Sequence, residues 1–129
     1  MCIRDSSTAY QHNNKLLYID KLIIPLPYDF DMSGFINPSY AVVNETLNIN
    51  NIRQRKYRGF KRDKDVFYKV RDIFIEKKSD MLALIKSFES DFDNATEYAE
   101  AYSYIESFFE IIEDDRKFKD SVILAARTK

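Results

Sequence analysis

Glycine is almost missing from this chain, with only Gly34 and Gly59 among 129 residues. Turns that need a left-handed backbone are least costly at glycine, so a fold built from many tight turns is poorly served here. Three prolines accompany them, which argues against an all-β or loop-rich scaffold and leaves helices with few connections. Two of those prolines, Pro25 and Pro27, fall in the one β-like stretch and dictate how it can pair. Lys15–Ile19 and Leu22–Tyr28 are apolar, β-branched and aromatic runs separated by Asp20-Lys21, the spacing of a two-residue hairpin. Lys21 is a weak choice where such turns prefer glycine. Closure on that turn pairs Ile19 with Leu22 as a hydrogen-bonded pair. Alternation then sets Pro25 opposite Leu16 and Pro27 opposite Asn14 in non-hydrogen-bonded pairs, where a missing N–H points away from the partner strand. The same register sets Asn13 opposite Tyr28 and His12 opposite Asp29, on strands about 4.8 Å apart.

Beyond the hairpin, residues 35–50 lack periodicity and read as an ordered loop. Asn50 or Asn51 is expected to cap a short helix through Arg58, stopped at Gly59. Val66, Phe67, Val70, Ile73 and Phe74, then Met81, Leu84, Ile85 and Phe88, recur at helical spacing, with residues 76–80 as a bend. A strong helix starts at Asn94 or Thr96; its apolar stripe runs through Tyr98, Ala101, Tyr102, Ile105, Phe108, Phe109 and Ile112, with acids on the opposite face. A last short helix spans about Asp115–Ala126. The fold class expected is mainly α with a small N-terminal β-hairpin (α+β): hairpin about 14–28, loop 29–50, helical body 51–129.

The formal charge of −1 conceals a basic stretch from Arg53 to Lys64 and an acidic one from Glu89 to Asp115. The basic stretch reads as a solvated helix face, with Arg53 or Arg55 pairing internal acids, so no nucleic-acid partner is expected. No run approaches the roughly 18 apolar residues of a membrane span, and no transmembrane segment is expected. Residues 1–6 resemble the in-frame translation of a sequencing-library adapter and are taken as a scar, leaving 7–129 as one domain truncated at its N-terminus. Cys2, the sole cysteine, then drops out, and with it any disulfide, thiol nucleophile or cysteine zinc site. Asp5 carries no weight for the same reason. Localisation is not readable; an exported or cell-envelope parent is compatible.

Pro27-Tyr28-Asp29-Phe30-Asp31-Met32-Ser33-Gly34 is the stretch richest in chemistry. A carboxylate ending one strand and a carboxamide on its neighbour are oxygen donors of the kind a hard cation takes. Asp29 and Asp31, two apart on an extended chain, face opposite ways; they share an ion only if the chain turns at Phe30, which Met32-Ser33-Gly34 can supply. Asn14 shares the Asp29 face in this register, so both Asn13 and Asn14 stand as the carboxamide. The plain alternative is that both aspartates cap a turn. His12, the one histidine, is a structural hydrogen-bonder by default and cannot by itself build a triad.

The order Asn13, hairpin, Asp29 is similar to that of a protein-kinase-like C-lobe, in which an asparagine before two short strands and an aspartate after them hold the metals. Tyr28-Asp29-Phe30-Asp31 also resembles the Asp-aromatic-acid pattern of choline-kinase-like and aminoglycoside-phosphotransferase-like enzymes, and the aspartate pairs of spore-coat CotH-type kinases. The run Pro27–Gly34 with Tyr40-Ala41, Ile52-Arg53, Arg55 and Tyr57-Arg58-Gly59 resembles a group of large uncharacterised bacterial proteins, in which Asn-Thr-Asp precedes the His-Asn pair. The likeness extends from about His12 to the C-terminal end and is motif-specific as far as Gly59. It implies Asn13 and Asp29 as metal ligands with Asp31 in support, and His12, Ser33 and Gly34 on the cofactor side. It further implies Mg²⁺ or Mn²⁺ with ATP as cofactors, and a nucleotide plus an unidentified phosphoryl acceptor as partners. The general base of that pattern would stand where the scar lies, so no catalytic residue is assigned and this chain is expected to be inactive alone. The alternative is a non-catalytic helical binding or envelope-associated module with a structural Asp-rich loop.

Overall fold

The computed structural model describes residues 13–29, 33–43 and 48–128. Among these, a two-stranded antiparallel sheet precedes four α-helices, the mainly α architecture with an N-terminal hairpin that the glycine and proline counts favour. The chain divides between Arg55 and Lys56 into two compact units.

In the first unit, β1 (Asn14–Ile19) pairs with β2 (Leu22–Pro27). The observed register is Ile19 with Leu22, Leu16 with Pro25 and Asn14 with Pro27, as closure on a two-residue turn demands. Asp20 (φ 49) and Lys21 (φ 64) are both left-handed, the sign pattern of a type I′ turn, whose twist matches that of the flanking strands. The turn forms without glycine because the strands specify it. Tyr28 N–H donates to the Asn13 carbonyl at 3.0 Å and extends the ladder one pair beyond the strands. Apart from Asn14, the strand residues are exposed.

After the hairpin, Ser33 organises a tight turn: its carbonyl accepts from Asn37 N–H at 3.1 Å and its hydroxyl from Ile36 N–H at 3.4 Å. Asn37 (φ 51) and Asn48 (φ 50) are left-handed as well. Among the described residues no glycine has a positive φ; Asn and Asp, which tolerate that region better than other side chains, fill such positions everywhere except at Lys21.

The helix expected between Asn50 and Arg58 does not form. Gln54 N–H donates to the Asn51 carbonyl at 3.2 Å and the Gln54 side-chain oxygen accepts from Asn50 N–H at 2.8 Å, closing one turn, after which the chain is non-helical. Tertiary packing outweighs the local capping signal here. Tyr57 packs against the core of the second unit and meets Phe67 edge-on at 6.0 Å between ring centroids. Gly59 is therefore no helix stop: a Cβ there would collide with the Tyr57 phenol, so its role is to let that ring approach the backbone.

The second unit carries α1 (Lys64–Glu76) and α2 (Lys78–Ser87), broken at Lys77 within the expected bend. Then come α3 (Ala95–Glu113) and α4 (Asp115–Phe118), the latter running into a π-type turn, Lys119–Ile123. Asn94 caps α3: its Oδ1 accepts from Glu97 N–H at 3.0 Å and its Nδ2 donates to the Glu97 carboxylate at 3.0 Å, a variant of the capping box. Asp114 caps α4 by accepting from Lys117 N–H at 2.8 Å. The core is Phe67, Phe109, Ile112 and Phe118, with Phe109 at 0% exposure. Each buried phenylalanine contributes about 1.5–3 kcal/mol by leaving water. The tail is stitched back by Arg127 N–H to the Gly59 carbonyl at 2.9 Å and Lys61 N–H to the Arg127 carbonyl at 2.8 Å. Arg127 also lies 4.6 Å from the Phe60 ring centroid.

Candidate metal edge at the hairpin mouth

The open end of the hairpin gathers the oxygen-bearing residues singled out in the sequence. Asn14 begins β1 opposite Pro27, and the chain leaves β2 through Tyr28 into Asp29. Alternation along the strands puts Asn14 on the face that leads to Asp29, whereas Asn13 starts on the other. Both Asn13 (φ 48) and Asp29 (φ 60) are left-handed, so the chain turns away from the strand direction at Asp29 itself, one residue before the turn foreseen at Phe30. Left-handed non-glycine residues are uncommon and concentrate where structure over-determines them, including ligand sites.

Asn14 is the buried member of this group. It is 7% exposed, and its Oδ1 accepts no hydrogen bond among the described residues. A buried carboxamide oxygen without a donor costs about 1–3 kcal/mol, and such atoms usually mark a water or ion that satisfies them. Ser33 is equally buried at 7%, but its hydroxyl oxygen already accepts Ile36 N–H; its O–H remains able to donate. Gly34 is buried beside it, and its backbone φ is not left-handed. Lys15 lies 5.7 Å from the Tyr28 ring centroid, leaving a cation near the mouth.

His12 and Asp31 lie outside the described residues, as do Phe30 and Met32. Among the described residues, no group of three or more His, Cys, Asp or Glu is placed to hold a metal. The oxygen-bearing side chains at this end of the sheet, among the described residues, are the Asn14 amide, the Asp29 carboxylate and the Asn13 amide. Their chemistry fits a hard divalent cation that keeps several waters, and does not fit a soft-metal site. Register reasoning brought Asn14 and Asp29 to one end of the sheet, but the burial of Asn14 had no signal in the sequence: an asparagine opening an exposed hairpin looks like any solvated polar residue.

No family model matches the chain, and no curated protein or solved structure matches it either.

Proposed function

We propose that this chain is the C-terminal part of an atypical kinase-like phosphotransferase, and that the hairpin mouth is its cation-binding edge. The single observation that carries the reading is the buried Oδ1 of Asn14, which has no donor among the described residues, at the strand end adjoining the Asp29 turn. Asp29 supplies the carboxylate, Asn14 or Asn13 the carboxamide, and Asp31 a supporting acid. Ser33 and Gly34 lie in the following turn, and the resemblance assigns them, with His12, to the cofactor side. A divalent cation held there would neutralise the charge of a nucleotide's phosphates, which is the main task of the protein in phosphoryl transfer. The residues of this chain orient that ion and exclude water from one side of it; none acts as the general base.

Mn²⁺ titration of the whole chain, followed by electron paramagnetic resonance, tests the reading. Weak binding is expected, lost in Asp29→Ala and weakened at least about tenfold in Asn14→Ala, in line with the effect of losing a ligand or its support. An Asn13→Ala variant separates the two carboxamides. ADP should tighten Mn²⁺ binding, because phosphate oxygens complete the coordination. Equal Mn²⁺ binding by wild type and Asp29→Ala removes the site altogether.

A second reading has its own support. Asp is well tolerated at a left-handed position, so the Asp29 backbone (φ 60) explains an aspartate there with no metal, as in a non-catalytic binding module with a structural Asp-rich loop. Mn²⁺ binding that ADP leaves unchanged would favour this module over the phosphotransferase.

A further inference from the structure

No nucleic-acid partner is expected of a solvated helix face, but the basic stretch is not a helix. From Lys56 to Lys64 the chain carries five cations against one carboxylate, Asp63. The Tyr57 phenol lies where a Gly59 Cβ would stand, so residues two apart share a side, the alternation of an extended chain. Tyr57 takes the core side. Arg58, Phe60 and Arg62 fall on the other, and all three are exposed. Phe60 forms a parallel bridge with Arg127, whose guanidinium lies 4.6 Å from the ring centroid. At roughly 3.3 Å per residue, one arginine stands about 7 Å along the chain on each side of the ring, and a third lies over it. Among the described residues none of these three guanidiniums is ion-paired with a carboxylate, and Phe60 remains 48% exposed.

We infer that this row binds a single-stranded nucleic acid, with phosphates on Arg58, Arg62 and Arg127 and a base stacked on the platform that Phe60 and Arg127 form. Guanidinium forks match phosphate oxygens bidentately and also stack on flat rings. A basic track with an aromatic ring set in it suits unpaired strands, because every base has a face to stack. A duplex keeps those faces inside its own stack, so only its backbone would be left to contact. An anionic membrane fits less well: a ring entering lipid would carry the Arg127 guanidinium towards hydrocarbon, where charge is costly. An acidic protein surface would engage the arginines and leave the ring idle. Stacking and phosphate contact read no base edge, so little sequence preference is expected. The whole row lies in the second unit and does not depend on the cation edge of the hairpin.

Fluorescence anisotropy of a short labelled oligothymidylate or oligouridylate, titrated with the whole chain at several salt concentrations, tests this. Affinity should fall with salt at a log–log slope of about −2, the value for three phosphate contacts on a single strand. Arg58→Gln combined with Arg62→Gln should reduce the slope to about −0.7. Phe60→Ala should weaken binding roughly five- to hundredfold with the slope unchanged, and Phe60→Tyr should bind like wild type. Helical circular dichroism checks that each variant is folded; should Phe60→Ala unfold, the slope of the arginine pair decides alone. No binding by wild type at about 100 µM, the weak end of non-specific affinities, overturns the inference. So does binding that folded Phe60→Ala leaves unchanged, and so does a duplex of the same length bound as tightly as the single strand. Phosphatidylserine vesicles bound in a Phe60-dependent way, without oligonucleotide binding, overturn it in favour of a lipid surface.

Discussion

Arg71 in α1 holds Asp115 at the start of α4, its Nη1 donating to the carboxylate at 2.5 Å. The same guanidinium donates through Nη2 to the Glu113 carbonyl at 3.0 Å and through Nε to the Ile112 carbonyl. One cation thus satisfies carbonyls that the end of α3 leaves without helical partners, and it lies 5.1 Å from the Phe118 ring centroid. The planar fork of arginine suits this several-point contact; a lysine presents a point charge.

Arg71 is 11% exposed whereas Asp115 is 85% exposed, so the carbonyls rather than the carboxylate should dominate the energetics. Arg71→Met is expected to cost about 2–3 kcal/mol by stranding those acceptors, and Arg71→Lys to recover only a minor part. Asp115→Asn should be nearly silent, as exposed ion pairs generally are. Urea unfolding monitored by helical circular dichroism ranks the three; equal losses for Arg71→Met and Asp115→Asn would show that the ion pair is what matters.

Phe109 is fully buried at the centre of the second unit, touching Phe108 at 5.3 Å between ring centroids. Phe109→Ala should cost about 3–5 kcal/mol through lost transfer energy and the cavity left behind, a large share of the 5–15 kcal/mol typical of a domain. Thermal unfolding should move to far lower temperature, while Phe109→Leu falls between the two.

Lys21 occupies the second left-handed position of the hairpin turn (φ 64). Lys21→Gly relieves the clash of Cβ with the backbone and should stabilise the hairpin by about 1 kcal/mol. Slower amide exchange at Leu17 and Ile24, which face each other, would register the gain; faster exchange would mean the turn is not of the I′ kind.

The carboxyl of Asp114 is held below the ordinary carboxylate range, first by the Lys117 N–H that it accepts, against an opposing desolvation effect. A lowered folded-state pKa stabilises the fold fully above the unfolded value of about 3.9. The contribution disappears as pH falls below that value through the folded one. A carbon-detected titration should place the Asp114 midpoint under that of an unstructured aspartate, and Asp114→Ala should lose stability less steeply in acid than wild type. A midpoint at or above the unstructured value would contradict the cap.

What could be read in the residues was whatever rests on local alternation and spacing. The two-residue turn specifies the hairpin register, and the prolines agree with it because that pairing turns both missing N–H groups outward. The α3 stripe is legible because its apolar residues recur at helical period, whereas the choice of Asn94 over Thr96 as its start came from the cap bond to Glu97. Asp29 and Asn14 meet at one sheet end for the same reason: register carries position across a pair of strands. Tertiary structure alone decided the rest. Gly59 looks like a helix stop until Tyr57 is seen lying over it. Tyr104 is buried at 8% exposure beside the foreseen stripe, because packing around α3 is wider than the stripe. Arg71 has no sequence signature as the residue that ties off α3. The burial of Asn14, on which the proposed cation site depends, comes from contacts that sequence spacing does not encode: periodicity tells which face a residue occupies, whereas only the packed chain determines whether water reaches that face.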